Sequence, residues 1–238
     1  MQTPTITGII DRRILVNFTV DPDIAKAVVP FPFKPKLVDG RAIAGICLIR
    51  LKHVRPKGLP AFLGVGSENG AHRFAVEWEE DGQLKEGVYI PRRDTSSLFN
   101  TVTGGRVFPG RHFRAKFDVK EAHGNYHVAF KSTDGTTISI DATIIETFGD
   151  QSVFKDLDAA SAFFKAGSTG YSPNKNRYEG LLLKAHKWEV KPLAVSNVAS
   201  SYFENKQIFP AGSVKFDNAL LMENIPHEWS SVTDKKCC

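Results

Sequence analysis

The sequence is poor in cysteine, has no long apolar run and carries no dense block of one charge. Cysteine occurs three times in 238 residues. Cys47 stands inside the apolar run AIAGICLIRL and reads as a small buried hydrophobe, while Cys237 and Cys238 end the chain. Thiols so placed do not form a disulfide framework. No stretch approaches the roughly 20 apolar residues of a membrane-spanning helix. The opening MQTPTITGIIDRR lacks a basic start, an apolar core and a small-residue cleavage site, so a cytoplasmic protein with no membrane partner is expected. Twin-cysteine ends with a basic stretch upstream resemble prenylation signals. The tail TDKKCC has only two lysines before the pair and reads as an unmodified, disordered end.

Neither basic nor acidic residues dominate. Lysine and arginine number 31 against 26 acids, for a net charge of +5 and a pI near 9.0, and the two signs alternate along the chain. No aromatic RNA-binding signature, zinc-finger spacing or helix-turn-helix pattern accompanies the basic balance, so no nucleic-acid partner is expected. His123 and His127 are four apart, but Gly124 and Asn125 between them signal a turn, and no thiol or carboxylate partner is near in sequence; neither a metal nor another cofactor is expected. GVGSENG is not the G-x-S-x-G elbow of serine hydrolases.

What is present is strand periodicity. RFAVEWEE sets Phe74, Val76 and Trp78 against Arg73, Glu77 and Glu79, YHVAFKS sets Tyr126, Val128 and Phe130 against His127 and Lys131, and TISIDATIIE puts Ile138, Ile140, Ala142 and Ile144 on one face. EDGQ, AHGN and TDGT separate such runs as hairpin turns do. Asp21 followed by Pro22 predicts one short helix, Asp158 before AASAFFKAG a second that Gly167 can end, and TSSLFNTVTGG a third. The expected fold is mainly β (α+β): a single domain over residues 1–230, built as a bent antiparallel barrel or cone with a few flanking helices, and a disordered tail over 231–238.

The densest cluster is GGRVFPGRHFRAKF, Gly104 to Phe117. His112, Arg114 and Lys116 alternate with Phe113, Ala115 and Phe117, which predicts a strand with Arg114 and Lys116 in solvent. Arg106 and Arg111 precede that alternation, where proline and glycine break the chain, and are candidates for ligand contact. Glu68, in the Gly-rich GVGSENG, is a candidate acid or base at a barrel mouth, although a solvated loop acid has the same sequence appearance. Arg92 and Arg93 of PRRD are open to the same solvated reading.

These segments carry a resemblance. RRILVNFTVDPDIAKAVVPFPFKPKL, SENGAHRFAVEWEEDGQLKEGVYI and GGRVFPGRHFRAKF resemble successive segments of the acetoacetate decarboxylase family. DAASAFFKAGSTGYSPNKNRYEGLLLKAHKWEVKPLAVSNVASSYFENK is similar to the YqjF-like (DUF2071) branch of that superfamily. The resemblance implies a bent barrel or cone, puts Glu68 at the family's active-site glutamate, and puts Arg12 or Arg13 at its N-terminal arginine. In that family a lysine forms a Schiff base beside a second cation. Here Gly110 falls at the lysine and Arg111 at the second cation, and a permanently protonated guanidinium is no amine nucleophile. Lys116 lies about 20 Å further along a strand and cannot replace it. The expected site is therefore Glu68 and Arg111 as a catalytic pair facing a cavity, with Arg12, Arg13, Arg106, His72, Phe108 and Tyr89 as substrate contacts. The expected activity is lyase or isomerase chemistry on a small keto acid, enol or lactone without a Schiff base. A non-catalytic small-molecule binder or a structural subunit on the same barrel is the alternative, and homo-oligomerisation is compatible with either.

Overall fold

Long alternating segments become long strands, and the residues that tolerate left-handed backbone fix where they reverse. In the computed structural model, which describes residues 4–97 and 109–236, β1 is Ile6–Val20, β2 Lys34–Pro35, β3 Leu37–Val38, β4 Arg41–Pro56, β5 Val65–Glu80, β6 Gln83–Thr95 and β7 His112–Ala122. They are followed by β8 Asn125–Ser132, β9 Thr137–Ile144, β10 Thr169–Asn174, β11 Arg177–Ala185, β12 Lys191–Ser200 and β13 Val214–Lys236. The β5–β6 reversal uses Asp81 (φ 52°) and Gly82 (φ 71°), and the β7–β8 reversal His123 (φ 49°) and Gly124 (φ 78°). Two consecutive left-handed residues are the mirror-image turn whose twist suits a hairpin.

The strands form one sheet in the order β11-β10-β6-β7-β8-β9-β12-β13-β1-β4-β5-β2, and the additional pairings β11–β13 and β5–β6 curve it into a ring. The sheet is mixed rather than wholly antiparallel as expected, because β6 runs parallel to both β7 and β10. Long connections precede β7 and β10, and they permit crossovers where tight turns would impose hairpins.

Two helices accompany the sheet among the described residues. α1, Pro22–Val28, starts as expected, with Asp21 Oδ1 accepting from the Asp23 amide at 3.0 Å. α2, Leu157–Ala166, is capped two residues earlier than expected, by Asp156, whose carboxylate accepts from the Ala159 amide at 2.8 Å; Gly167 follows its end. The helix expected over TSSLFNTVTGG falls largely outside the described residues. The expected disordered tail is strand up to Lys236: Tyr178 and Arg177 pair with Lys235 and Lys236, and the Lys235 ammonium pairs with Glu80. Backbone pairing, which polar composition does not report, orders this segment.

Side chains from strands all around the ring, among them Ile14, Ile46, Phe74, Val128, Ile140 and Leu221, line its inside, whereas Leu15, Ile43, Cys47 and Met222 form an outer core with Phe154 and Phe164 of the α2 region. A bulge at Asp11, where β1 shifts register against β4, reverses the alternation. Ile10 belongs to the outer core, yet two residues later Arg12 joins the inner face with Ile14.

Where strands cross closely, side-chain volume decides stability. A Cβ on Gly45 of β4 would lie 2.2 Å from the Val16 carbonyl oxygen, while one on Gly82 meets nothing within 4 Å and suffers only the positive φ. Gly45→Ala is expected to lower stability by about 3 kcal/mol in urea titrations, and Gly82→Ala by about 1 kcal/mol. Equal losses would contradict this packing.

Candidate functional site

Strand register gathers charge on the inner face. Glu223 of β13 opposes Arg12 of β1, Arg12 opposes Arg50 of β4, and Arg50 opposes Glu68 of β5. Two directly opposed guanidiniums repel, and here carboxylates bridge them. Arg12 Nη2 donates to Glu68 Oε2 and Arg50 Nε to Glu68 Oε1, both at 2.6 Å. Glu121, near the end of β7, accepts from Arg12 Nη1 and from Arg50 Nη1 and Nη2, the last two at 2.9 and 3.0 Å. Arg12 is only 2% exposed. Tyr126 Oη donates to Glu223 at 3.0 Å, and burial together with that carboxylate pushes its hydroxyl up to about 12.

Further along the same face of β5 lies His72. It is fully buried, its ring rests 4.5 Å from that of Tyr202, and neither ring nitrogen has a hydrogen-bond partner. Asp94 Oδ2 stands 3.6 Å from Nδ1, beyond hydrogen-bond range. Burial, reinforced by the Arg92 guanidinium, lowers His72 to about 3, so the imidazole is neutral. Arg92 is itself held by Asp94 at 2.6 Å and by Asp134, and it stacks over Phe113 at 4.0 Å. Burial raises Asp94 despite that pairing.

The expected site residues separate. Glu68, Arg12, His72 and Tyr89 lie on the inner face, although Glu68 sits within a continuous strand rather than a loop. Arg13 points to the outer face, as the bulge dictates. Arg106 and Phe108 lie outside the described residues. Arg111 is exposed, with its guanidinium 5.8 Å from the Phe113 ring. The expected Glu68–Arg111 pair therefore does not form. Arg111 precedes β7, so no strand aims it inward, and both Glu68 oxygens already bind Arg12 and Arg50. Arg114 and Lys116 are exposed as expected. Arg92, open to a solvated reading in sequence, is buried at 9% exposure. Arg50, Glu121, Asp94 and Tyr202 escaped the sequence reading. Arg50, a cation ending the run AIAGICLI, was the one visible signal.

Among the described residues no group of three His, Cys, Asp or Glu is placed to hold a metal ion, and no helix is long and apolar enough to cross a membrane.

Solved structures define the class of fold. An acetoacetate decarboxylase-like enzyme from Sphingomonas wittichii RW1 superposes with a TM-score of 0.59 at 10% identity, covering 99% of this chain and 93% of that one. The enduracididine biosynthesis enzyme MppR superposes at 0.61 with 10% identity, covering 98% and 88%. Acetoacetate decarboxylase from Legionella pneumophila gives 0.56 with 15% identity, covering 97% and 88%. The fold is acetoacetate decarboxylase-like. Within it, the chain belongs to the DUF2071 family, described as an uncharacterized conserved protein, whose model matches residues 10–221. A search of curated proteins finds no match.

Burial holds three histidines neutral: His72 is lowered to about 3, and His112 and His227 to about 4. Unfolded histidine titrates near 6.5, so the unfolded chain binds more protons below that pH. The stabilisation is complete above about pH 6.5 and falls as the pH drops towards 4. His72→Gln is expected to reduce the slope of unfolding free energy between pH 6 and 4 by close to one proton, about 1.4 kcal/mol per pH unit. An unchanged slope would show that His72 is protonated in the folded protein.

Proposed function

We propose that the ring encloses a site for a small keto acid, enol or lactone, on which the protein acts as a lyase or isomerase without a Schiff base. One observation carries this reading. Arg12 Nε and both nitrogens of His72 are buried on the inner face without a hydrogen-bond partner. Such orphans cost free energy unless a ligand or ordered water meets them. A guanidinium and a neutral imidazole are donors suited to carboxylate and carbonyl oxygens. MppR, on the same fold, is known complexed with pyruvate.

Glu68, fixed beside Arg12, is the acid or base. It removes a proton from the carbon next to a ketone: the C–H bond breaks and the proton passes to the Glu68 carboxylate, the C–H electron pair forms the C=C bond of the enolate, and the carbonyl π pair moves onto the oxygen. Arg12 and His72 stabilise the enolate so formed. Arg12 thus takes the role expected of Arg111. The absence of a Schiff base is supported by Gly110 at the family's lysine position. It is also supported by Lys52 and Lys191, which border the network and are paired with Asp11 and Glu223, each at under 3 Å (2.8 and 2.9 Å). A lysine nucleophile needs the opposite surroundings, an apolar pocket or a neighbouring cation. A non-catalytic binder is the second reading, favoured by the engagement of both Glu68 oxygens by arginines.

Proton NMR in D2O separates the two. With pyruvate and acetoacetate the wild-type protein is expected to exchange the protons next to the ketone, and Glu68→Gln to slow this at least 100-fold. Borohydride is expected to trap no adduct by intact mass. Exchange that survives Glu68→Gln, or a lysine adduct, would overturn the mechanism; ligand binding without exchange would establish the binder.

A further inference from the structure

On the outer face of the ring, against α2, three guanidiniums gather with no carboxylate paired to any of them. Arg13 of β1, Arg73 of β5 and Arg93 of β6 each leave the sheet on the side opposite an inner-face neighbour, Arg12, His72 and Arg92. Register brings them together with the one outer-core thiol: Asn17, Gly45 and Arg73 are cross-strand partners in one row, and Cys47, Ala71 and Arg93 in the next. Arg73 is 3% exposed. Its Nε donates to Cys47 Sγ at 3.1 Å, its Nη2 donates to Asn17 Oδ1, and its guanidinium lies 4.9 Å from the Phe164 ring. Arg13 Nη2 approaches the same sulfur at 3.7 Å. Arg93 Nη2 donates to Ser172 Oγ at 3.3 Å.

Charge here is not balanced by the protein. Among the described residues no carboxylate lies within salt-bridge distance of Arg13, Arg73 or Arg93. The Nε atoms of Arg13 and Arg93 are buried without a partner. Burial alone would raise the Cys47 thiol, yet Arg73 and Arg13 together hold it below its ordinary value. Burial in turn lowers Arg73, and lowers Arg93 to about 10. Even a thiolate leaves the cluster positive. Beside it is a cavity of about 20 Å³, open on one side and lined by Arg13, Arg73, Lys36, Val88, Phe163 and Phe164, which is room for one water or for the oxygen end of a small anion whose remainder lies in the opening. Glu86 also borders it and is neutralised by its pair with Lys36.

We propose that this cavity is a binding site for a small planar oxyanion of the carboxylate or bicarbonate class, held by the guanidiniums of Arg13 and Arg73. A guanidinium presents a flat fork of N–H donors that matches such an anion, and the phenylalanine walls leave no room for a large hydrated polyanion. The site lies on the face of the sheet opposite Glu68 and does not depend on the chemistry assigned there. It does depend on Cys47. A bound anion and the thiolate draw on the same donors and repel each other, so each weakens the other by the same factor.

The test uses the full chain carrying Cys237→Ser and Cys238→Ser, leaving Cys47 as its one thiol. Chloride is replaced by acetate or bicarbonate at constant ionic strength. The melting temperature is expected to rise with oxyanion concentration, and the thiolate absorbance of Cys47 to titrate at higher pH when the anion is present. Arg73→Met and Arg13→Met are expected to weaken the oxyanion at least tenfold. Should Arg73→Met fail to fold, Arg13→Met and the Cys47 titration of the unsubstituted site decide the matter. Identical behaviour in chloride and in the oxyanions, or a response retained by Arg13→Met, would overturn the assignment.

Discussion

A guanidinium inside a ring of strands must be met by carboxylates, and the placing of Arg12 organises the inner face around that requirement. Desolvating a cation costs several kcal/mol unless geometry returns it through paired hydrogen bonds. Glu68 and Glu121 supply those bonds to Arg12 and Arg50 at once. One cluster thereby ties β1, β4, β5 and β7 together, and it brings the far end of the β7–β8 hairpin against the N-terminal strands. The bulge at Asp11 is part of the same constraint. Without it the alternation of Ile10 would carry Arg12 outward.

The two faces of the same strands then do different work. Inside, charge is balanced but hydrogen bonding is incomplete: Arg12 Nε and the His72 ring lack partners. Outside, Arg73 bonds to the Cys47 sulfur and the Asn17 amide while Arg13 only approaches that sulfur, and the charge of neither is balanced. Each deficiency defines what a ligand would supply, oxygen acceptors within the ring and negative charge beneath α2.

Local features were legible from sequence. Alternation marked the strands around Phe74, Val128 and Ile140, and Asp-Gly and His-Gly pairs marked the turns, because both signals act over a few residues. Asp21 with Pro22 did the same for α1. The candidate site was legible only in part, through the resemblance that singled out Glu68 and the Arg12–Arg13 pair. Which of those arginines faces inward depended on a bulge that no local signal announced. Arg111 is exposed rather than turned inward, because Pro109 and Gly110 mark a break without specifying the direction of the side chain after it. Glu121, as Arg12's second partner, depended on a contact 109 residues apart in the chain, and the order of residues 231–236 depended on pairing with β11. Non-local register sets both.

A double-mutant cycle between Arg12 and Glu68 is the most direct measurement of the central claim. Arg12→Met and Glu68→Gln should each lower unfolding free energy by about 3 to 5 kcal/mol, as stranding half of a buried pair does. The double variant should lose much less than their sum, for a coupling of about 2 kcal/mol or more. Additive losses, agreeing within about 0.5 kcal/mol, would mean that Arg12 is not held by Glu68 and that the inner face is not organised around it.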